Sequence, residues 1–395
     1  MNLTLSDRVQ AIQPSATLAI TARAAAMRAE GRDVIGLGAG EPDFDTPEPI
    51  KEAARQAIAK GYTKYTAVGG TASLKQAIMA KFQRDNHLSY VDTQVLVSCG
   101  GKQSSFNLTQ ALLNPGDEVI IPAPYWVSYP DMVLLAGGVP VIVAAGQEQG
   151  FKITPEQLRH AITPKTRLLF LNSPSNPTGV AYSHDELAAL ASVLLDYPDI
   201  IIATDDMYEH ILWQRGQFVN IVNACPALYE RTLVMNGVSK AYSMTGWRIG
   251  YAAGPEPLIK AMTKIQSQST SNPTSISQYA AEAALNGDQS VIDTMLTAFK
   301  QRHDYVVASL NAIPGIECLP TDGTFYVFPS IKGILNAQAE FKDDVALAEH
   351  WLESQGVAVV PGTAFGAPGH IRISIATGMD KLEQALARIA KAVSA

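Results

Sequence analysis

Short apolar segments alternate with amphipathic helical patterns through most of this chain. Seven segments are rich in Val, Ile and Leu, and most lack the strict polar–apolar alternation of half-exposed strands. They are Gln94–Cys99, Glu118–Pro122, Val139–Ala145, Arg167–Asn172, Ile200–Thr204, Thr232–Asn236 and Arg248–Ala253. The helical patterns between them include Gln103–Leu113, His184–Leu195 and Pro257–Ser267. This alternation predicts an α/β fold, in which helices cover both faces of a mostly parallel, seven-stranded sheet.

The two ends of the chain follow a different pattern, typical of a smaller α+β unit. Its predicted C-terminal elements are a helix at 290–312, strands at 323–328, 357–360 and 370–374, and a helix at 380–393. The Ala-rich helix predicted at 16–30 cannot bury its apolar face alone, so we expect it to pack on these elements. The chain is long enough for two domains. We predict a large domain at 46–289 and a discontinuous small domain at 1–45 and 290–395.

The composition argues against several classes of protein. Of the 395 residues, 47% are hydrophobic and 17% are charged, which is typical of a folded globular chain. A formal net charge of −7 argues against broad nucleic-acid binding, and no apolar run is long enough to span a membrane. The N-terminus lacks a signal-peptide core and the three cysteines are far apart, so we expect a cytoplasmic protein. No metal site is predicted, because no histidine pair has ligand spacing.

Polar residues follow four of the predicted strands. They are the segments 100–102 (GGK), 172–174 (NSP), Asp205 and 239–240 (SK). In open parallel sheets, ligands bind beyond the carboxyl ends of the strands. The sequence therefore predicts that these four strand ends form one binding site.

The segment from Gly237 to Gly250, GVSKAYSMTGWRIG, has the strongest chemical implication. Lys240 follows a predicted strand, and Arg248 lies eight residues later. A buried lysine near other cations is neutral enough to form an imine with an aldehyde. An arginine can bind a phosphate group through two hydrogen bonds. The alternative interpretation is a solvated loop lysine followed by a structural arginine.

This segment resembles the lysine signature of the class I and II aminotransferases, which are fold-type I enzymes dependent on pyridoxal 5′-phosphate (PLP). The resemblance extends from Pro14 to Arg372 and is greatest to the bacterial aspartate aminotransferase branch, which also contains prephenate aminotransferases. It implies that Lys240 forms the Schiff base with PLP. It also implies that Lys240 then transfers the proton during transamination of amino acids and 2-oxo acids.

The resemblance assigns further residues to the cofactor. Asp205 would pair with the pyridinium nitrogen and Tyr208 would donate a hydrogen bond to the phenolic oxygen. Asn176, in the turn NSPSNPTG, would contact that oxygen and the substrate carboxylate. Trp126 would stack on the ring, with Tyr125 as the alternative. The donors assigned to the phosphate are Gly100, Gly101, Lys102, Ser239 and Arg248. Taken singly, these residues also suit a helix N-cap, ordinary turns or core packing.

Three more residues are assigned by the resemblance outside those strand ends. Tyr65 reaches the cofactor phosphate of a second subunit in relatives, which predicts a homodimer with shared active sites; a surface turn tyrosine is the alternative. Arg372, in the middle of a predicted strand, binds the substrate α-carboxylate or else forms an internal salt bridge. Gly40 offers its backbone amide to the same carboxylate as the domains close.

The side chain of the substrate is assigned to Lys102, with Ser15 and Thr17 as hydrogen-bond partners. A cation there favours a distal carboxylate, unless Lys102 is a solvated helix-end residue. The sequence therefore predicts an aspartate aminotransferase that converts L-aspartate and 2-oxoglutarate to oxaloacetate and L-glutamate by a ping-pong reaction. Gln13 stands where prephenate-using relatives often carry lysine, which weakens a prephenate activity. The alternatives are a prephenate, aromatic or other aminotransferase, or a β-lyase on the same fold.

Overall fold

The computed structural model describes residues 3–338 and 340–394, and within them the chain forms twelve strands and fifteen α-helices. The strands are β1 (Ile35–Gly36), β2 (Val95–Ser98), β3 (Glu118–Ala123), β4 (Val139–Ala144), β5 (Thr166–Asn172), β6 (Ile201–Asp205), β7 (Thr232–Gly237), β8 (Gly250–Ala253), β9 (Tyr326–Val327), β10 (Val357–Ala358), β11 (Val360–Pro361) and β12 (Ile371–Ser374). The helices are α1 (Asp7–Gln10), α2 (Ala16–Ala29), α3 (Glu48–Ala59), α4 (Ala72–Lys81), α5 (Gly101–Leu112), α6 (Ser128–Leu135), α7 (Pro155–Ala161), α8 (His184–Leu195), α9 (Ile221–Ala224), α10 (Glu256–Ser267), α11 (Ser275–Asn286), α12 (Val291–Asn311), α13 (Lys332–Ala337), α14 (Asp344–Gln355) and α15 (Met379–Ser394). None of these helices is long and apolar enough to cross a membrane.

Seven strands form the central sheet, in the order β2-β8-β7-β6-β5-β3-β4. Only β8 runs against the others, because it pairs antiparallel with both β2 and β7. The predicted α/β fold with a mostly parallel, seven-stranded sheet is therefore confirmed. Strand bounds differ from the prediction by at most two residues. The largest difference is at β8, which begins at Gly250 because Arg248 has a left-handed backbone with a φ of 56°.

Burial differs among the strands of the central sheet. Every residue of β7, in the middle of the sheet, is buried. The prediction of burial on both faces is wrong for β4, where Val139 and Ile142 are 45% and 43% exposed. β4 is an edge strand that borders only β3, but its position alone does not explain this exposure, because β2 at the other edge is buried at every residue.

Helix ends follow the local sequence. α8 begins after Ser183, whose hydroxyl accepts a hydrogen bond from the Glu186 N–H (3.3 Å), while the Glu186 carboxylate accepts one from the Ser183 N–H (2.8 Å). This reciprocal capping box fixes the predicted start of the helix. α5 begins at Gly101, two residues before the prediction. Its free N–H groups therefore lie at the carboxyl end of β2, where the ligand site is expected.

The N- and C-terminal parts of the chain form two small sheets. β1 pairs in parallel with β10, and β11, β12 and β9 form an antiparallel sheet. As expected, α2 packs on this region, since Ala24 and Met27 are buried in one cluster with Leu352 and Ala358. Elements from both ends of the sequence are thus joined by hydrogen bonds. The division into domains after residues 45 and 289 stays a prediction.

Two predicted strands of this region are shortened or divided. The strand predicted at 323–328 is reduced to β9, because Thr324 has a φ of 65° and its N–H bonds to the Ile211 carbonyl (2.7 Å) outside the sheet. The strand predicted at 357–360 is interrupted at Val359, and the two parts, β10 and β11, belong to different sheets.

Candidate active site

A cavity of about 380 Å³ lies beyond the carboxyl ends of the parallel strands. All four polar strand ends line it, as predicted. They contribute Gly101, Lys102, Asn172, Asp205, Ser239 and Lys240. Arg372 and Tyr326, from the small antiparallel sheet, complete the wall on the other side. The cavity is therefore bounded by elements that lie far apart in the sequence.

Lys240 lies three residues after β7, with its side chain in this cavity. Its Nζ donates a hydrogen bond to the carbonyl oxygen of Gly40 (2.6 Å). Burial, with the nearby guanidinium groups of Arg248 and Arg372, lowers the pKa of Lys240 to about 8. At pH 7 roughly a tenth of this amine is then neutral, against about one part in 3,000 at the ordinary lysine value. Lys240 is therefore set up as a nucleophile.

The N-terminus of α5 and Arg248 form an anion-binding corner of the cavity. The Arg248 guanidinium donates to the carbonyl oxygens of Thr245 (2.8 Å) and Cys99 (3.3 Å). It forms no ion pair with a carboxylate of the described residues. Unbonded N–H groups at the start of a helix attract anions. The two features together leave positive charge that a phosphate group would balance.

Glycines allow the backbone to close around this corner. A side chain at Gly100, whose φ is 86°, would overlap the Arg248 guanidinium. A side chain at Gly250 would overlap the backbone N of Gly101. Gly100 thus acts by making room for Arg248, whereas Gly101 lines the cavity itself. Ser239, also assigned to the phosphate, lines the same cavity.

Asp205 is the last residue of β6, and it is partly buried in the wall of the cavity. Its carboxylate accepts hydrogen bonds from the Tyr129 hydroxyl (2.6 Å) and the Met207 N–H (3.2 Å). Burial raises the pKa of Asp205, and the Tyr129 hydrogen bond opposes that effect. Within the described residues it has no salt bridge, so a cationic group from a ligand would be its natural partner.

Arg372 and Asn176 form the next part of the wall. Arg372 is buried, and its guanidinium donates to Asn176 Oδ1 (2.9 Å) and to the Gly38 carbonyl oxygen (2.7 Å). Its Nε has no hydrogen-bond partner. The alternative of an internal salt bridge is wrong, because no described carboxylate lies within ion-pair distance of Arg372. A buried arginine with an unused donor can bind a carboxylate from a ligand.

The structure distinguishes the two candidate stacking residues. Trp126 lines the cavity, and the Nζ of Lys102 lies 5.1 Å from the centre of its ring. Tyr125 points elsewhere and packs against Gly366, where an added side chain would overlap its ring. Of these two residues, Trp126 is therefore the one available to a ligand in this cavity.

The start of α2 closes the remaining side. Ser15 and Thr17 both line the cavity. The Ser15 hydroxyl does not cap α2, and the buried Thr17 hydroxyl has no partner. Lys102 lines the same cavity, and desolvation and the charge of Arg248 lower its pKa. These polar groups suit a polar substrate side chain.

Tyr65 does not join the cavity of its own chain. It is 92% exposed, more than any other large hydrophobic residue that the structure describes. Its assignment to the cofactor therefore depends on a second subunit.

Known proteins resemble this chain in family, sequence and structure. The family profile described as aminotransferase class I and II matches residues 32–389. The chain is 60% identical to the aspartate/prephenate aminotransferase of Nitrosomonas europaea, over 99% of this chain and 100% of that protein. It is 50% identical to the aspartate aminotransferase of Bacillus subtilis, over 98% of both chains.

This chain belongs to the class I and II aminotransferases. The crystal structure of the aspartate aminotransferase from Rhizobium meliloti superposes with a TM-score of 0.96, at 50% identity, over 100% of this chain and 99% of that chain. A Thermus thermophilus aspartate aminotransferase with maleate superposes with a TM-score of 0.93, at 46% identity, over 99% and 100%. The protein is thus a PLP-dependent aminotransferase with the fold-type I architecture.

The cavity of this aminotransferase fits PLP by its own chemistry. The cofactor carries an aldehyde, a phosphate and a ring nitrogen that is cationic when protonated. The cavity offers an amine of low pKa at Lys240. It also offers a guanidinium at Arg248 and a partly buried carboxylate at Asp205, neither of which has an ion pair within the described residues. Each group of the cofactor therefore meets a complementary group that lacks such a partner within the described chain.

Several residues of the aminotransferase site were not predicted. They are Leu18, Val127, Met207, Met235, Thr245 and Tyr326. Asn172 was predicted only as part of a polar strand end, without a role of its own. Asn172 positions its neighbours, since its amide donates to the Asp205 carbonyl oxygen (2.8 Å) and its Oδ1 accepts from the Asn176 N–H (2.8 Å). Its place at a predicted strand end was a signal for this role. Tyr326 had no such signal in the sequence.

A cluster of possible metal ligands lies outside the cavity. Asp85, Glu209 and His210 place one ligand atom each within 4.8 Å of one another. The buried ammonium of Lys81 contacts Glu209, and Asn86 donates to the same carboxylate (2.7 Å). Arg84 pairs with Asp85 (2.6 Å), so the two negative charges of the cluster are already balanced by Lys81 and Arg84.

Proposed function

We propose that this aminotransferase exchanges an amino group between L-aspartate and 2-oxoglutarate, which gives oxaloacetate and L-glutamate. The observation that carries the proposal is a pair of cations, Lys102 and Arg372, that line one cavity without an ion pair to any described carboxylate. Two such cations suit a substrate with two carboxylates. All four of these compounds are dicarboxylic. The relatives named as aspartate aminotransferases support the same substrate class.

The residues of the site divide the work of transamination. Arg372 binds the α-carboxylate, helped by Asn176. When bound, PLP supplies an electron sink for the electrons of the substrate's Cα–H bond. Asp205 holds the proton of the ring nitrogen, which strengthens that sink. Lys240 first holds the cofactor aldehyde covalently and afterwards, as a free amine, moves the proton from the substrate α-carbon.

The same groups serve both halves of a ping-pong reaction. The amino donor leaves as a 2-oxo acid, and a second 2-oxo acid binds to the same two cations and accepts the amino group. Ser15 and Thr17, with their free hydroxyls, would hydrogen-bond to the distal carboxylate beside Lys102. One cavity of about 380 Å³ is within the usual size of a small-ligand site.

Replacement of Lys102 by methionine tests the substrate. We expect kcat/KM for aspartate and glutamate to fall about 10- to 100-fold, because charge-assisted hydrogen bonds are lost. The values for alanine and phenylalanine should change little. The control is Lys165→Met, an exposed lysine at the opposite end of the sheet, where β5 begins. An equal loss for all amino donors would contradict the assignment of Lys102.

Prephenate is a second candidate substrate, because the relative from Nitrosomonas europaea is named an aspartate/prephenate aminotransferase. Prephenate is also a dicarboxylic acid, so the same two cations would bind it. Gln13, in place of the lysine expected in prephenate-using relatives, argues against it. A donor and acceptor panel that includes prephenate separates these candidates. Release of pyruvate and ammonia from cysteine-type substrates would instead indicate the β-lyase alternative.

We further propose a cytoplasmic homodimer in which Tyr65 of one subunit reaches the cofactor phosphate of the other. The exposure of Tyr65, and its absence from the cavity of its own chain, support this arrangement. Three free thiols suit a reducing compartment.

Hybrid dimers test the sharing of Tyr65. A dimer of one Lys240→Ala subunit and one Tyr65→Phe subunit should contain one intact site, because the site with Lys240 receives Tyr65 from its partner. We expect that site to bind PLP with wild-type affinity, whereas the Tyr65→Phe homodimer should bind it about 10- to 100-fold more weakly. Weak binding in the hybrid as well would show that Tyr65 acts within its own chain.

A further inference from the structure

Tyr326 connects the small antiparallel sheet to the cofactor side of the cavity. It lies in β9, where it is paired with Ser374 of β12, two residues beyond Arg372. The side chain is 1% exposed. Its hydroxyl oxygen lies 3.0 Å from that of Tyr208, which is also buried. A tyrosine of the small sheet and a tyrosine in the turn after β6 are therefore hydrogen-bonded inside the site.

The same side chain touches the substrate side. The Arg372 guanidinium lies over the Tyr326 ring, 4.5 Å from its centre. A Cβ at Gly40 would lie 2.9 Å from the Tyr326 hydroxyl, so the glycine leaves room for that oxygen. Gly40 also accepts the hydrogen bond of Lys240. One phenol thus borders the assigned binding groups for the cofactor, the substrate carboxylate and the reactive lysine.

The direction of the hydrogen bond between the two tyrosines decides what Tyr326 does. Each phenol has one proton to donate. In the chain by itself, either oxygen can be the donor. If Tyr208 donates its proton to the phenolic oxygen of PLP, its own oxygen can only accept from Tyr326. Hydrogen bonds in such a chain strengthen one another, so donation by Tyr326 makes Tyr208 a better donor.

We propose that Tyr326 is a positioning residue, which directs the Tyr208 proton toward the cofactor and supports the guanidinium of Arg372 with its ring. The inference rests on the proposed role of Tyr208 in the site. The hydroxyl and the ring have separate tasks, and they can be removed separately. If Tyr326 only filled the core, removal of its hydroxyl and removal of its ring would not have different effects.

The hydroxyl is tested with the PLP-loaded enzyme carrying Tyr326→Phe. Weaker donation by Tyr208 leaves more negative charge on the phenolic oxygen free to hold the proton of the lysine–cofactor linkage. The pH midpoint of the cofactor's absorbance change should therefore rise by about 0.5 to 1 unit, the size expected for one ordinary hydrogen bond. The KM for aspartate should stay within about twofold. Tyr305→Phe, a hydroxyl deletion on the exposed face of α12, is the matched control and should change neither value.

The ring is tested with Tyr326→Leu. This variant should show the same shift of the midpoint and, in addition, a KM for aspartate raised about tenfold, because a cation–π contact with Arg372 is lost. The double variant Tyr208→Phe/Tyr326→Phe should shift the midpoint no further than Tyr208→Phe alone, because Tyr326 acts through Tyr208. An additive shift in the double variant would overturn the inference.

The outcomes separate this inference from the proposed function. A midpoint that moves in Tyr208→Phe but not in Tyr326→Phe overturns the role of Tyr326 alone. A midpoint that moves in neither variant overturns the cofactor role of Tyr208 and with it the role of Tyr326. The substrate assignment depends on Lys102 and Arg372, and it is unaffected by either result.

Discussion

Replacing Lys240 with alanine should reduce transamination by at least about 10⁴-fold, since the variant loses both the covalent attachment of the cofactor and the group that moves the proton. The measurement is a single-turnover half-reaction, in which enzyme loaded with PLP is mixed with aspartate and oxaloacetate is quantified. The absorbance typical of the lysine–cofactor linkage should also disappear. PLP should still bind, because the phosphate corner around Gly101 and Arg248 is unchanged. Its affinity should be lower, because the covalent link to Lys240 is lost.

The control for this variant is Lys165→Ala, which removes an exposed lysine from the opposite end of the sheet. It should retain wild-type half-reaction rates and absorbance. An inactive Lys240→Ala protein that also lost its fold would prove little, so circular dichroism and the oligomeric state are measured alongside. Retained half-reaction activity in a folded Lys240→Ala enzyme would refute the assignment of Lys240.

Replacing Arg372 with methionine should strongly lower the activity without lowering the stability of the protein. The loss of a buried, charge-assisted contact to the substrate α-carboxylate is expected to cost about 3 to 5 kcal/mol, or roughly 10²- to 10⁴-fold in kcat/KM. All amino donors carry this carboxylate, so the loss should be similar across them, unlike the selective effect expected at Lys102. Initial rates with aspartate, glutamate and alanine measure this pattern.

Stability should not fall with activity, because Arg372 is an unpaired charge in the interior. Burial lowers the pKa of Arg372, which means that the folded protein disfavours its charged form. An apolar side chain of similar length removes that penalty, although it leaves the Asn176 side-chain oxygen and the Gly38 carbonyl oxygen without the Arg372 donor. We expect the free energy of unfolding of the PLP-free variant to lie within about 1 kcal/mol of the wild-type value or above it.

The matched control for Arg372 is Arg159→Met, which breaks an exposed ion pair with Asp196 (2.9 Å) at the surface. Surface pairs of this kind contribute little to stability, so neither activity nor unfolding should change measurably. A large loss of stability in Arg372→Met, with kcat/KM preserved, would show that Arg372 has a structural role instead.

Much of the site could be predicted from the sequence because of the parallel strands. Asp205, Asn172 and Lys240 each follow an apolar segment, and the carboxyl ends of parallel strands share one edge of the sheet. A polar residue directly after a predicted parallel strand could therefore be placed at the ligand-binding end of the sheet. The seven strands themselves were recognisable because β5, β6 and β7 are short, apolar and rich in Val, Ile and Leu.

Other features depend on contacts between distant parts of the chain. Tyr326 lies in a strand of only two residues, too short for any hydrophobic period, and its role comes from Tyr208 and Arg372 on other elements. The choice of Trp126 over Tyr125 likewise required Gly366, far along the sequence, against which Tyr125 packs. The antiparallel direction of β8 is another such feature, because a buried apolar segment has the same residue pattern whether its strand runs parallel or antiparallel to its neighbours.

That reversed strand has a consequence for how the enzyme can be altered. Because β8 runs antiparallel to β7, the loop at 238–249 begins and ends on the side of the sheet where the parallel strands have their carboxyl ends. It therefore presents both Lys240 and Arg248 to the cavity without crossing to the far side. Insertions into this short loop should be poorly tolerated. Tags, fusions or surface attachment are better placed near Lys165, at the amino ends of the parallel strands. A longer loop there leaves the active site unchanged.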